Sequence, residues 1–155
     1  MRILFLDIDG VLNTPGTYAR LQAMSKERKV LDSGYYLFDK KRVKLLNELN
    51  SNVHIIISSS WRFIYTVNDV YKMLYYNGYR RKGTLLGMVS RNIVQDYRGI
   101  EIYNCLTSIK AKDPNYVILD DDSSAMRVHE DRFIYVNGSI GLMQSHIDKV
   151  QKLLK

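Results

Sequence analysis

Apolar positions along the chain fall into two patterns. Four short continuous runs, at residues 3–6, 53–57, 116–119 and 133–136, each end at polar or turn residues. Each is too short for a helix and rich in Ile, Val, Phe or Tyr, so each predicts a buried strand. Between the runs, apolar residues recur at helical spacing. Val43, Leu46 and Leu49 share a face within residues 40–50, and Val67, Val70, Tyr71 and Leu74 do so after Trp61. Ile100, Tyr103, Leu106 and Ile109 recur every three residues, and Met143, Ile147, Val150 and Leu154 follow i, i+4, i+7, i+11. Strands alternating with helices require crossover connections. The pattern therefore predicts an α/β fold, a three-layer Rossmann-like parallel sheet with helices on both faces.

The pattern breaks down in residues 14–39, which hold Pro15, Gly16, Gly34 and mixed charges. This stretch reads as a surface excursion or small lid. Asp113-Pro114-Asn115 reads as a turn that ends a helix before the third strand. There is no repeat, low-complexity tract or linker, and 155 residues fit a single domain over 1–155. Nothing approaches the roughly 18 consecutive apolar residues of a membrane helix. Residues 3–8 are apolar but short and interrupted by Asp7, so they read as a strand, not a signal segment. The single cysteine, Cys105, excludes an internal disulfide and fits a reducing cytoplasm. Its apolar neighbours suggest an inert, buried thiol.

Charge adds a direction. The chain carries a formal net charge of +7, which suggests an anionic partner or substrate, with plain solubility as the competing explanation. Residues 62–98 hold seven basic and two acidic side chains, so most of the excess lies in one segment. Within it, Tyr71, Tyr75, Tyr76 and Tyr79 run into Arg80-Arg81-Lys82. Such a stretch could stack on bases and hold phosphates, or be a core stripe ending in a solvated basic turn. Tyr71 and Tyr75 fit the apolar helix face, which favours the second reading.

Ligands of open parallel sheets bind outside the carboxyl ends of the strands. The first predicted strand ends in Asp7-Ile8-Asp9-Gly10, the second in Ser58-Ser59-Ser60-Trp61-Arg62, and the third in Asp120-Asp121-Asp122-Ser123. An isolated Asp-x-Asp-Gly is a common turn, but three strand ends with carboxylates and hydroxyls describe a site. Ionised carboxylates repel each other, and Mg²⁺ resolves that repulsion through oxygen ligands. Asp7, Asp9, Asp120 and Asp121 are the candidate metal residues. A carboxylate beside Mg²⁺ can attack a phosphoryl group, while a second protonates the leaving oxygen and then activates water. Gly10 allows a sharp turn.

Ser58 and Ser59 can donate to phosphoryl oxygens without adding charge, or cap the following helix. Ser60, Arg62 and Gly10 are candidate substrate contacts, with Arg62 otherwise a surface charge, and Trp61 packs in the core or lines the site mouth. A phosphoryl site also needs fixed positive charge. Candidates are Arg98, at the start of an amphipathic helix, and Lys110 or Lys112; Arg98 is favoured. His54, His129 and His146 are scattered. No zinc spacing, Walker-type loop or helix-turn-helix pattern occurs.

Taken in order, these residues resemble the haloacid dehalogenase (HAD) superfamily of phosphohydrolases over nearly the whole chain. Residues 3–11, Ile-Leu-Phe-Leu-Asp-Ile-Asp-Gly-Val, are similar to its first motif, which implies Asp7 as nucleophile and Asp9 as acid and base. The Ser58–Ser59 pair resembles the second motif, with either serine as the equivalent. Arg98 resembles the basic third motif, where many members carry Lys. Val117-Ile118-Leu119-Asp120-Asp121 resembles the acidic fourth motif, with either Asp as the direct ligand; no further acid follows at Ser123, Ser124 or Ala125. Asp9-Gly10-Val11-Leu12-Asn13, Ser59-Ser60-Trp61-Arg62, Arg98-Gly99-Ile100-Glu101-Ile102 and Gly141-Leu142 more closely resemble the small subgroup found with RNA-repair enzymes and in phages.

The resemblance implies a Mg²⁺-dependent phosphomonoester hydrolase with a minimal cap. It also implies Mg²⁺ held by Asp7, the Asp9 backbone carbonyl and Asp120 or Asp121. Neither residues 14–39 nor 62–97 are long enough for a separate cap domain, and an open site suits a bulky substrate. With the basic balance, that points to a nucleotide or nucleic-acid-end phosphate. The other class of reading is a non-catalytic module that binds nucleotide or nucleic acid, through the pocket or through residues 79–82.

Overall fold

The computed structural model describes residues 1–26, 38–90, 98–109, 113–123 and 128–155. Five parallel strands form one sheet: β1 (Arg2–Leu6), β2 (Val53–Ile57), β3 (Leu85–Met88), β4 (Asn115–Asp120) and β5 (Phe133–Tyr135), in the order β3-β2-β1-β4-β5. Four of these are the four apolar runs. The fifth, β3, was not expected from the sequence. It is a four-residue edge strand with Gly87 inside it and Leu86 half exposed, so it lacks a continuous apolar signature.

The central strands are apolar over most of their length because both faces are covered. Leu4, Leu6, Ile55, Ile57, Val117 and Leu119 point into one core, whereas Ile3, Phe5, Ile56 and Ile118 point into another. The helices are α1 (Pro15–Lys26), α2 (Lys40–Leu45), α3 (Val67–Tyr76), α4 (Arg98–Ser108) and α5 (Gln144–Leu153). The larger core takes Val43 of α2, Val70, Met73 and Leu74 of α3, and Ile147 and Val150 of α5. The smaller takes Ile102 of α4, with Cys105 and Leu106 packed against it. This is the three-layer α/β architecture expected. Cys105 is only half-buried, and burial pushes its thiol up.

The excursion expected at residues 14–39 is in its first part the helix α1, which lacks a regular apolar face and so carried no helical signal. Residues 27–37 of that stretch lie outside the described residues, as do Lys110 and Lys112. Among the described residues no helix is long and apolar enough to cross a membrane.

The tyrosine–arginine segment divides in two. Tyr79 is fully buried, with its hydroxyl against Thr84 Oγ1 at 2.5 Å, and Arg81 donates to the carbonyls of Asn50 and Val53 at 2.5 and 2.9 Å. These two are structural, which removes them from the nucleic-acid surface considered for residues 79–82. Tyr75, by contrast, is half exposed, not on the buried face, and Arg80 stacks 4.7 Å over its ring.

Strand order determines where a site can form. From β1 the chain steps outward to β2 and β3, then crosses back to β4 on the other side of β1. The direction reverses between β1 and β4, and a crevice opens at the carboxyl ends of those strands. Register does the rest. Leu6 pairs with both Ile57 and Leu119, so Asp7, Ser58 and Asp120 follow at one level. The Asp7 amide donates to Leu119 O at 3.0 Å and the Ser58 amide to Leu6 O at 2.8 Å.

At the other end of the chain His146 closes the first turn of α5. Its Nδ1 accepts from the Met143 amide at 3.1 Å, while its own amide donates to Met143 O at 3.0 Å. The ring is buried, and burial, with Lys149 nearby, holds its pKa below the usual 6.5. The unfolded chain therefore takes up this proton first. The contribution of His146 is complete above about pH 6.5 and is lost as pH falls from there through the lower folded-state value. Denaturant melts at pH 7.5 and 5.5 should show this loss, and His146→Gln, whose amide oxygen can still accept from Met143, should shrink it. An equal pH dependence in the variant would contradict the assignment.

Candidate active site

The crevice predicted by strand order is a cavity of about 560 Å³. Its floor is Asp7, Asp9 and Gly10 after β1, with Asp121 and Asp122 after β4. Its walls are Asn13, Thr14 and Tyr18 on one side and Tyr135, Asn137, Gly138 and Ser139 on the other, with Ser60 and Arg98 between.

Asp7 is buried, and one of its carboxylate oxygens, Oδ1, is enclosed without a hydrogen bond. Arg98 Nη1 lies 3.2 Å from that oxygen and 2.5 Å from Asp120 Oδ2, so one guanidinium sits between two carboxylates. Burial pushes Asp7 up to about 7, the repulsion of Asp120 adds to it, and Arg98 opposes it. Burial also raises Asp120 against the pull of Arg98, and raises Asp121 with help from Asp122 and Asp9. Burial alone would lower Arg98, but Asp7 and Asp120 outweigh it and hold the guanidinium firmly protonated.

One cation does not balance this set. Carboxylate oxygens of Asp7, Asp120 and Asp121 lie within 4.8 Å of one another, an all-oxygen cluster of the kind a divalent metal takes. The enclosed Asp7 Oδ1 and the raised carboxyls of all three residues fit a hard cation such as Mg²⁺. Asp120 is already engaged by Arg98 and by the Asp122 amide at 3.0 Å, whereas Asp121 faces the cavity. The Asp9 side chain, also a candidate metal residue from the sequence, is not in this cluster.

Two glycines make room for Asp121. Gly10, at φ +74°, and Gly138 pack so closely that a Cβ on either would lie 2.0 or 2.4 Å from Asp121 Oδ2. Gly10 is thus required twice, for a left-handed backbone and for the close approach of the Asp121 carboxylate.

The remaining residues behave differently from one another. Ser59 caps the short 3₁₀ turn Ser60–Phe63, accepting from the Trp61 amide at 3.5 Å. The Ser58 hydroxyl is buried with no hydrogen-bond partner. Neither serine lines the cavity, but Ser60 does. Arg62, expected on the substrate or at the surface, does neither. It forms an ion pair with Glu101 of α4 at 2.5 Å, their side chains only 7% and 1% exposed, and donates to Ser59 O at 2.7 Å. That pair ties the turn after β2 to the helix carrying Arg98. His129, which the sequence left unassigned, does similar work, bridging Tyr116 Oη and Gly99 O at 2.9 Å each.

Tyr18, Trp61 as a donor, and the 137–139 wall were missed. Tyr18 lay in the stretch read as irregular. The wall had a signal, since Asn137-Gly138-Ser139 is a polar turn just past β5, the fourth strand end by the same rule that found the first three. The α2 side chain Arg42 braces this wall by donating to Ile140 O at 2.6 Å, and the Leu142 amide bonds to Val11 O at 2.8 Å.

A parallel sheet in this order, with an aspartate pair after its first strand and an acidic cluster completed from β4, is a HAD-like Rossmann core. Residues 3–147 match the family model of the HAD domain in Swiss Army Knife RNA repair proteins, and the chain belongs to that family. Searches of curated proteins and of solved structures found no significant match.

If carboxylate repulsion dominates the metal-free site, Asp7→Asn should raise the melting temperature of the metal-free protein. A gain on the order of 1–3 kcal/mol is expected. Mg²⁺ should raise the melting temperature of the wild type but not of Asp7→Asn. Gly138→Ala should weaken that Mg²⁺ shift by displacing Asp121. Thermal denaturation with EDTA and with graded Mg²⁺ measures all three.

Proposed function

We propose that the protein is a Mg²⁺-dependent phosphomonoester hydrolase acting on a nucleotide or nucleic-acid-end phosphate. The observation that carries this reading is the buried Asp7, flanked by Arg98, Asp120 and Asp121, with Asp9 two residues on at the same cavity. Bound Mg²⁺, held by Asp7, Asp121 and the Asp9 carbonyl, would supply positive charge against the phosphoryl oxygens.

In the first step an Asp7 oxygen forms a bond to phosphorus, the bond from phosphorus to the ester oxygen breaks, and that oxygen takes the proton of Asp9. The products are the alcohol, phospho-Asp7 and the Asp9 carboxylate. In the second, Asp9 takes a proton from water as its oxygen attacks phosphorus and the bond to Asp7 breaks. Phosphate leaves, and Asp7 and Asp9 return to their starting forms. Arg98 neutralises the phosphoryl oxygens, and Ser60, the serine of the β2 end that lines the cavity, donates to one of them.

Three features support a nucleic-acid substrate. The family is that of a domain in RNA repair proteins. The net charge is +7. The cavity mouth carries the half-exposed rings of Tyr18 and Tyr135, flat apolar surfaces suited to a base.

Wild-type protein should release phosphate from oligoribonucleotides bearing a 3′- or 5′-phosphate faster than from small sugar phosphates, and EDTA should abolish release. Asp7→Asn should lower turnover by about 10³-fold or more while keeping the folded circular dichroism spectrum. Full turnover in that variant would remove Asp7 as nucleophile. Equal rates on small phosphates would remove the nucleic-acid assignment. Tight nucleotide binding with no phosphate release would favour the non-catalytic pocket.

A further inference from the structure

Asp9 is gripped by two donors from elements that are distant in sequence. Trp61 Nε1–H is shared between both Asp9 oxygens, at 3.1 and 3.0 Å. The Tyr18 hydroxyl of α1 donates to Asp9 Oδ1, and it accepts in turn from Asn13 Nδ2 at 3.4 Å, so its proton is directed at Asp9. An indole N–H can only donate, and here it spans the carboxyl group and sets its plane. The indole is itself fixed. It is 7% exposed, with ring centroids 5.1 Å from both Phe38 and Tyr65, and it sits in the turn capped by Ser59. Tyr18, by contrast, is half exposed and lines the cavity.

A carboxyl lining the cavity beside the acidic Asp7 and Asp121 would otherwise turn toward water. We propose that Trp61 and Tyr18 are positioning residues that fix the Asp9 carboxyl toward the ester oxygen of the substrate. This rests on the acid–base reading of Asp9 above. Proton transfer in the first step requires Asp9 within hydrogen-bond reach of the leaving oxygen as the bond to phosphorus breaks. The clamp survives that transfer, because the acid form still offers its carbonyl oxygen to both donors. It also gives α1 a role. The helix reaches the site through one hydroxyl.

The test compares two leaving groups. A 4-nitrophenyl ester departs without a proton, whereas the ribose alkoxide of a 3′-phosphorylated oligonucleotide needs one. Tyr18→Phe removes a half-exposed hydroxyl and no packing. It should lower kcat on the oligonucleotide about tenfold, with KM changed less than about twofold, and lower kcat on the aryl ester less than about threefold. Trp61→Phe should show the same selectivity, with its melting temperature measured alongside because the indole is buried. Both variants should keep the Mg²⁺ thermal shift.

Equal losses on both substrates, or no loss in Tyr18→Phe, would overturn the clamp. Asp9→Asn separates this from the reading beneath it. If that variant fails on the oligonucleotide while Tyr18→Phe and Trp61→Phe do not, only the clamp falls. If Asp9→Asn still turns the oligonucleotide over, the acid–base reading falls and takes the clamp with it.

Discussion

Carboxylate crowding at the ends of β1 and β4 is the constraint around which the rest is arranged. Parallel strands in register place Asp7 beside Asp120, and Gly10 and Gly138 leave room for Asp121 against the same space. Nothing in the apolar core requires this. It is unfavourable for folding, because burial and mutual repulsion both raise these carboxyls. Arg98 offsets part of the cost, and a divalent cation suits the remainder. Such a strained arrangement at the switch point of the sheet is what a phosphoryl site needs and what a purely structural domain would avoid.

The supporting contacts make sense in that light. Arg98 must be held against two acids, so the start of its helix is tied down twice. The Arg62–Glu101 pair joins it to the turn after β2, and His129 joins Gly99 to the segment before β5. Asp121 must approach the β1 turn, so glycines stand at positions 10 and 138. Asp9 lies outside the cluster of Asp7, Asp120 and Asp121 and is held by different chemistry, an indole and a phenol. Two aspartates two residues apart thus sit in different surroundings, Asp7 among carboxylates and Arg98, Asp9 between an indole and a phenol.

Much of this was legible in the sequence because the strongest signals are physical ones. Strands buried on both faces read as continuous apolar runs, and their ends carried Asp7, the serines and Asp120–Asp122. What was not legible had weak local patterning. β3 is a short edge strand containing glycine, and α1 has little apolar face to bury. Arg62 looked like a solvent or substrate charge because its partner Glu101 lies 39 residues away, a distance only the fold closes. The choice between Asp120 and Asp121 likewise needed geometry. Two adjacent aspartates are equivalent in sequence, but one meets Arg98 and the other the cavity.

The account stands or falls on a covalent bond to Asp7. The direct measurement is rapid acid quenching of the Mg²⁺-loaded protein during turnover of a phosphorylated oligonucleotide, followed by peptide mass spectrometry. The account predicts a phosphoryl group on the peptide containing Asp7, absent without Mg²⁺ and accumulating when Asp9 is replaced by Asn and an aryl phosphate is supplied. Steady phosphate release with that peptide unmodified at every quench time, including in the Asp9 variant, would contradict it.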